Sequence, residues 1–200
     1  MRKFGRPTAA SGEVDRHLRR FLGTPFSTLD EELPDGAPIR LHGFAEVPFD
    51  GQVTLATDGL AALARQRGWA RPDGYAQELV FVLDGRFMGP ELLDFVMSCA
   101  VRYAQQARLL AWEEPVRLDL EVPLSTGMRF LLPTPAALFD EDFQFVTAPT
   151  GETNFCLLVP AYEVEAEFLA AKGPEQLYDA LEEQDVDVSD LRRAPLRSGA

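Results

Sequence analysis

Any chemistry in this chain has to come from very few side chains. There are two histidines, His17 and His42, and two cysteines, Cys99 and Cys156. His17 lies in a basic N-terminal segment and His42 in a strand-like run, and no Ser/His/Asp or Cys/His arrangement is readable. Each cysteine sits inside an apolar stretch without histidine neighbours, which reads as a buried thiol and not as zinc-ligand spacing or a disulfide. No Gly-x-Gly-x-x-Gly follows a strand, and no Gly-Lys-Ser/Thr loop is present to cradle phosphate. Asp140-Glu141-Asp142 lacks the alternating ligands and central glycine of a calcium loop, so it reads as a solvated turn. The sequence therefore assigns no catalytic residue, no metal ligand and no cofactor.

Charge is the stronger signal. The net charge of −13 is uneven: residues 1–23 are net +4 and the remainder is net −17. Such a body repels phosphate backbones, which argues against direct nucleic-acid binding and in favour of a basic protein partner. From Glu163 to Asp190 ten acids stand against one base, Lys172. Acids in a first helical turn suit the helix dipole, but Asp185 and Asp187 are not explained that way. Glu163 and Glu167 lie four apart on one helix face, where like charges repel. These four acids, Glu163, Glu167, Asp185 and Asp187, are the candidate protein-binding residues; a solvated face is the alternative.

The elements that must position these residues follow from periodicity. Residues 1–14 are expected to be disordered, with a short helix over Asp15–Leu22 and a proline-rich loop over 24–38. Ile39–Val47 and Gln52–Thr57 read as a hairpin, Leu60–Arg67 as a short helix, and Gln77–Leu83 as a central strand covered on both faces. Pro90–Ala111 is the best helix, opened by a first-turn proline. Val116–Val122 alternates apolar and charged residues as an edge strand would, and Pro133 and Pro135 are expected to break the chain beyond it. Phe143–Thr147 and Thr153–Val159 form a second hairpin. Two helices close the chain: Glu163–Ala171, burying Val164 and Phe168, and Pro174–Glu183, burying Leu177, Tyr178 and Leu181. This order predicts an α+β fold: a mixed, mostly antiparallel sheet of about six strands packed against one long and several shorter helices. The expected division is a flexible basic segment over 1–23, one domain over 24–193 and a tail over 194–200. No apolar run approaches the roughly 20 residues of a membrane helix, and no apolar signal region follows the basic start, so a cytoplasmic location is expected.

Four stretches in this order resemble the suppressor-of-fused domain family from about residue 35 to residue 193. The first is Thr54–Leu60, with Thr57 and Gly59, similar to the family's threonine-glycine turn; the second is Gly74–Leu83, with Glu78 and Leu79, similar to its Glu-Leu strand. Leu158–Glu165, with Pro160 and Glu165, looks like its helix entry, and Gly173 with Asp190-Leu191-Arg192 looks like its closing segment. The chain departs from the family in the turn, where bacterial members often keep a methionine after the glycine, and in lacking the long C-terminal region of animal members. The resemblance implies a non-enzymatic, protein-binding domain, as in animals, where the family takes up a short peptide as an added strand. In bacteria many relatives look like immunity proteins that neutralise toxins. An acidic inhibitor would enter the basic cleft of such a toxin, with the edge of Val116–Val122 available for peptide pairing. Two other readings stay open: an enzyme site assembled from Glu78, His42 and Asp58, and a constitutive homo-oligomeric scaffold.

Overall fold

The computed structural model describes residues 12–197 apart from 113 and 120. The basic stretch expected to be disordered lies, as far as residue 11, outside the described residues. Five helices and eight strands are arranged in the order α1 (Glu13–Leu22), β1 (Ser27–Glu32), β2 (Pro38–Ala45), β3 (Gln52–Asp58), α2 (Leu60–Arg67), β4 (Ala76–Asp84), α3 (Pro90–Gln106), β5 (Val116–Arg117), β6 (Phe130–Pro135), β7 (Phe145–Ala148), β8 (Gly151–Ala161), α4 (Glu163–Lys172) and α5 (Pro174–Glu183). The strands form one sheet ordered β1-β2-β3-β4-β8-β6-β5, with β7 also paired to β8. Every pairing is antiparallel except β4 with β8. The fold is α+β with a mixed, mostly antiparallel sheet.

Both faces of the sheet are covered, which explains the continuous apolar run of β4. Leu79, Phe81 and Leu83 point to one face, where they meet Leu60 and Leu63 of α2 and Leu92, Val96 and Met97 of α3. Val80 and Val82 point to the other, packing with Leu18 and Leu22 of α1 and with Phe143 and Phe155. Further along that second face, α4 and α5 set Ala166, Leu169, Leu177 and Ala180 against Leu132 and Ala161. Gly151 opens β8 at φ +123, and a side chain there would strike the backbone of Gly74, so two loops touch only because both are glycine.

Several elements differ from the sequence expectation, each for a physical reason. The expected loop over 24–38 contains β1, paired with β2 along Ser27–Glu32. Its acidic residues belong to an edge strand, where Asp30 meets Arg40 across the ladder. Pro133 and Pro135 do not break the chain but sit inside β6, opposite Leu158 and Cys156 of β8. Their spacing of two sends both imino nitrogens to the same side, and β5 pairs only with Phe130 and Leu131. These two strands raise the count from about six to eight.

Val116–Val122 is not one strand. Only Val116 and Arg117 keep the ladder. Beyond them Leu118 N donates to Arg129 O and Val122 N to Met128 O, and Asp119 reaches Arg102 on α3. A seven-residue edge for peptide pairing is therefore absent. In α4 the buried positions are Glu165, Ala166 and Leu169, while Val164 and Phe168 are half-buried; in α5 Tyr178 is 44% exposed.

The long helix α3 stops at Gln106 instead of Ala111, with Ala107 at φ +52. Gln77 of β4 supplies the reason. Its side-chain amide donates to Leu110 O at 3.0 Å and accepts from Leu110 N at 2.8 Å and from Tyr103 Oη at 3.1 Å. A buried amide satisfied on both ends holds Leu110 out of the helix. Gln77→Ala is expected to cost about 1–3 kcal/mol in urea unfolding and to speed hydrogen exchange at the Leu110 amide.

Candidate functional site

Thr57 is the penultimate residue of β3, Gly59 precedes α2, and Glu78 and Leu79 lie in β4; the structure brings all four together. Glu78 has no exposure. Its carboxylate accepts from Thr57 Oγ1 at 2.6 Å and from the backbone N–H groups of Gly59 at 3.0 Å, Leu60 at 3.3 Å and Ala61 at 2.9 Å. Thr57 Oγ1 in turn accepts from Leu79 N at 2.8 Å. A carboxylate on a neighbouring strand thus caps a helix whose own N-cap, Gly59, has no side chain to offer. Gly59 is required twice: its φ is +124, and a Cβ would stand 2.8 Å from Pro38 O. Burial, reinforced by the neighbouring Asp58 charge, pushes the Glu78 carboxyl up to about 7, against the pull of its donors.

The second constellation ties the end of the chain to α4. Glu165 and Arg193, 1% and 8% exposed, form a bidentate pair at 2.5 and 2.6 Å. Glu165 also accepts from Tyr162 N and Leu196 N, and Arg193 donates to Pro160 O at 3.1 Å. Tyr162 Oη closes the ring by donating to Arg193 O at 2.7 Å. Ala194–Arg197 is accordingly held against the domain, with Leu196 4% exposed. Arg192, the arginine singled out in the sequence, is exposed and lies over the Phe87 ring; its neighbour Arg193 is the buried one. Gly173 joins the two closing helices at φ +87, as C-cap of α4 and N-cap of α5.

The structure places Glu163, Glu167, Asp185 and Asp187 on the surface. Asp187 has a local task as well, accepting from Ser189 N at 2.9 Å and Ser189 Oγ at 2.7 Å. From Phe130 to Leu191, Lys172 is the single basic residue. Within that span lies a feature the sequence did not disclose. An apolar groove of about 290 Å³ runs between β6, β8 and α5, lined by Leu132, Leu138, Leu157, Val159, Tyr178 and Leu181 among others. A more open cleft of about 580 Å³, which shares Pro135 with the groove, is lined by Arg71, Tyr75, Trp112 and Phe145 among others. Tyr178, read from the sequence as a buried position, is 44% exposed here, and Leu138, in a stretch the sequence left unassigned, is 36% exposed.

His42 and Asp58 do come together, with Nε2 at 3.8 Å from Asp58 Oδ2 and 3.7 Å from Asp15 Oδ1. The imidazole is 2% exposed, and neither His42, Asp58 nor Glu78 lines the groove or the cleft. His17 stacks on Phe155 at 5.1 Å and bonds Phe143 O, and burial pushes its pKa below the usual value. Both cysteines are free thiols, with burial pushing Cys99 up to about 12 and raising Cys156 further. Among the described residues no group of three or more His, Cys, Asp or Glu is placed to hold a metal ion.

The model for the suppressor-of-fused protein family matches residues 35–194. The chain belongs to the suppressor-of-fused family. Comparison with curated proteins finds no match. Among solved structures, a suppressor-of-fused homologue from Neisseria gonorrhoeae superposes with a TM-score of 0.70 at 15% identity, covering 94% of this chain and 97% of that one. The structure of a Sufu–Fu complex gives a TM-score of 0.64 at 15% identity over 90% and 89% of the two chains. Drosophila Suppressor of Fused gives 0.61 at 16% identity, covering 91% of this chain and 49% of its own, so the chain spans about half of that protein. These likenesses show a shared suppressor-of-fused fold.

Two outcomes test the constellations. Because the Glu78 pKa is raised on folding, its contribution to stability is whole below the ordinary carboxyl range and declines as pH rises through about 7. Glu78→Gln is expected to remove that decline from the pH profile of the unfolding midpoint, while costing about 1–3 kcal/mol because an amide N–H would face backbone donors. Arg193→Met is expected to cost about 3–5 kcal/mol in denaturant titration by leaving Glu165 buried and unpaired, and Glu165→Met/Arg193→Met to cost clearly less than the two single changes together.

Proposed function

We propose that this suppressor-of-fused domain is a non-enzymatic protein-binding module, and specifically an immunity protein that neutralises a basic toxin in the cytoplasm. The observation that carries the reading is the segment Phe130–Leu191, which supplies every wall of the apolar groove and carries many exposed carboxylates against one base, Lys172. Charge of one sign over so long a stretch steers a cationic protein into contact and rejects nucleic acid, whose phosphates are also negative. A toxin that acts on nucleic acid presents a basic cleft, and surface carboxylates occupy it where phosphates would sit. Protein binding also has support from a related fold, since one similar structure is that of a Sufu–Fu complex.

The test is capture with the products of adjacent genes, followed by deletion of the chain's own gene. The reading requires a stable complex at micromolar concentration and sensitisation of the deleted strain to the captured protein; a chain that captures none of these products, and whose deletion sensitises to nothing, overturns it. With the partner in hand, Glu163→Lys/Glu167→Lys is expected to lower the association rate about tenfold at low salt, with the difference shrinking as salt rises. Stopped-flow measurement at several ionic strengths reads it directly.

A further inference from the structure

We infer that the groove between β6, β8 and α5 is the docking site for a cationic amphipathic helix of a partner protein. The inference rests on the protein-binding reading and gives it a place and a partner chemistry. Three observations converge on it.

The first is the nature of the walls. The groove has about 290 Å³ of room, and its lining carries no charged side chain. Leu138 and Tyr178 stand at 36% and 44% exposure, so apolar surface reaches solvent where the face passes from the α1 cluster to the α4–α5 cluster. Tyr178 Oη donates to Thr134 Oγ1 at 2.6 Å, fixing an aromatic ring of α5 across the groove towards β6. A rigid, partly exposed tyrosine beside an apolar slot is the kind of residue on which binding energy concentrates.

The second observation selects the mode of binding. The floor is a sheet face, in which Leu132 pairs with Val159 and Thr134 with Leu157. On its other side β6 is paired with β5 only at Phe130 and Leu131, and beyond them Pro133 and Pro135 offer no N–H, so an incoming segment finds no full ladder to join. It has to anchor through side chains, and a helix presents them at the i, i+3/i+4, i+7 spacing that a groove accepts.

The third is charge. Asp179 and Glu182 adjoin Tyr178 and Leu181 on α5, and Asp187 adjoins the lining residue Val188; all three acids are exposed. No base belongs to α5 or to the segment after it as far as Leu191. An apolar stripe flanked by arginine or lysine complements that rim.

The probe is a fluorescein-labelled model helix with leucines at that spacing and arginines on its flanks, read by anisotropy at physiological salt. Micromolar binding is expected. Leu138→Arg, Tyr178→Ala and Asp179→Lys/Glu182→Lys are each expected to weaken it about tenfold or more, while Glu91→Lys/Glu114→Lys, outside the groove with the same charge change, shifts it less than about twofold. Unchanged unfolding midpoints show that the exposed substitutions leave the fold intact. Equal weakening by both charge-reversed pairs would reduce the effect to overall acidity and overturn the inference, as would full binding by Leu138→Arg and Tyr178→Ala. Self-association that Leu138→Arg abolishes would assign the groove to a second copy. Tenfold tighter binding on removal of residues 1–11 would assign it to the chain's own basic segment. Either result also overturns the inference. A captured partner whose affinity ignores Leu138→Arg would sink the groove and leave the protein-binding reading standing.

Discussion

A carboxylate with no access to water must find donors inside the protein, and Glu78 finds four of them at the point where β3, α2 and β4 meet. The rest of the architecture depends on that junction. It fixes the turn by which the chain leaves the sheet for α2, and α2 covers one end of the face that α3 covers elsewhere. Thr57 relays the arrangement back to the strand by accepting from Leu79 N. Gly59 permits it, since only a residue without a side chain fits under Pro38 O at that backbone angle. Three stretches of the sequence, at Pro38, Thr57–Ala61 and Glu78–Leu79, are thereby one physical object.

The Glu165–Arg193 pair repeats the principle at the other end of the chain. Here the buried acid meets a guanidinium, and both ends of the pair are also bonded to backbone. Acids in this protein therefore have two separate roles. Two of those inside, Glu78 and Glu165, are saturated with donors and hold elements together. Those outside, on α4, α5 and the segment after it, leave their field to solvent and to whatever approaches.

Legibility followed the range of the forces involved. Local periodicity sufficed for β4 and for most of α3, because Val96, Met97, Ala100 and Ala104 record one buried face directly. It failed for β1 and β6. The charges of β1 and the prolines of β6 are compatible with a strand only at particular places in a sheet, and those places are set by partners far along the chain. The end of α3 was unreadable for the same reason, since the residue that stops it, Gln77, lies more than a whole helix upstream. At the candidate site the exposed acids and Glu78 with Glu165 stood out as residues. The groove did not, because its walls come from β6, β8 and α5, which meet only in the folded chain. Choosing between Arg192 and Arg193 required the same long-range information.

The prolines of β6 have a further effect. A strand edge invites other chains to continue the ladder, and an edge without N–H groups at alternate positions cannot answer that invitation. At the opposite margin, β1 carries three successive acids, Asp30, Glu31 and Glu32, the first of them held by Arg40. A chain that tried to extend this sheet would thus meet missing donors along β6 and acids along β1, which lowers the gain from continuing the ladder at either place.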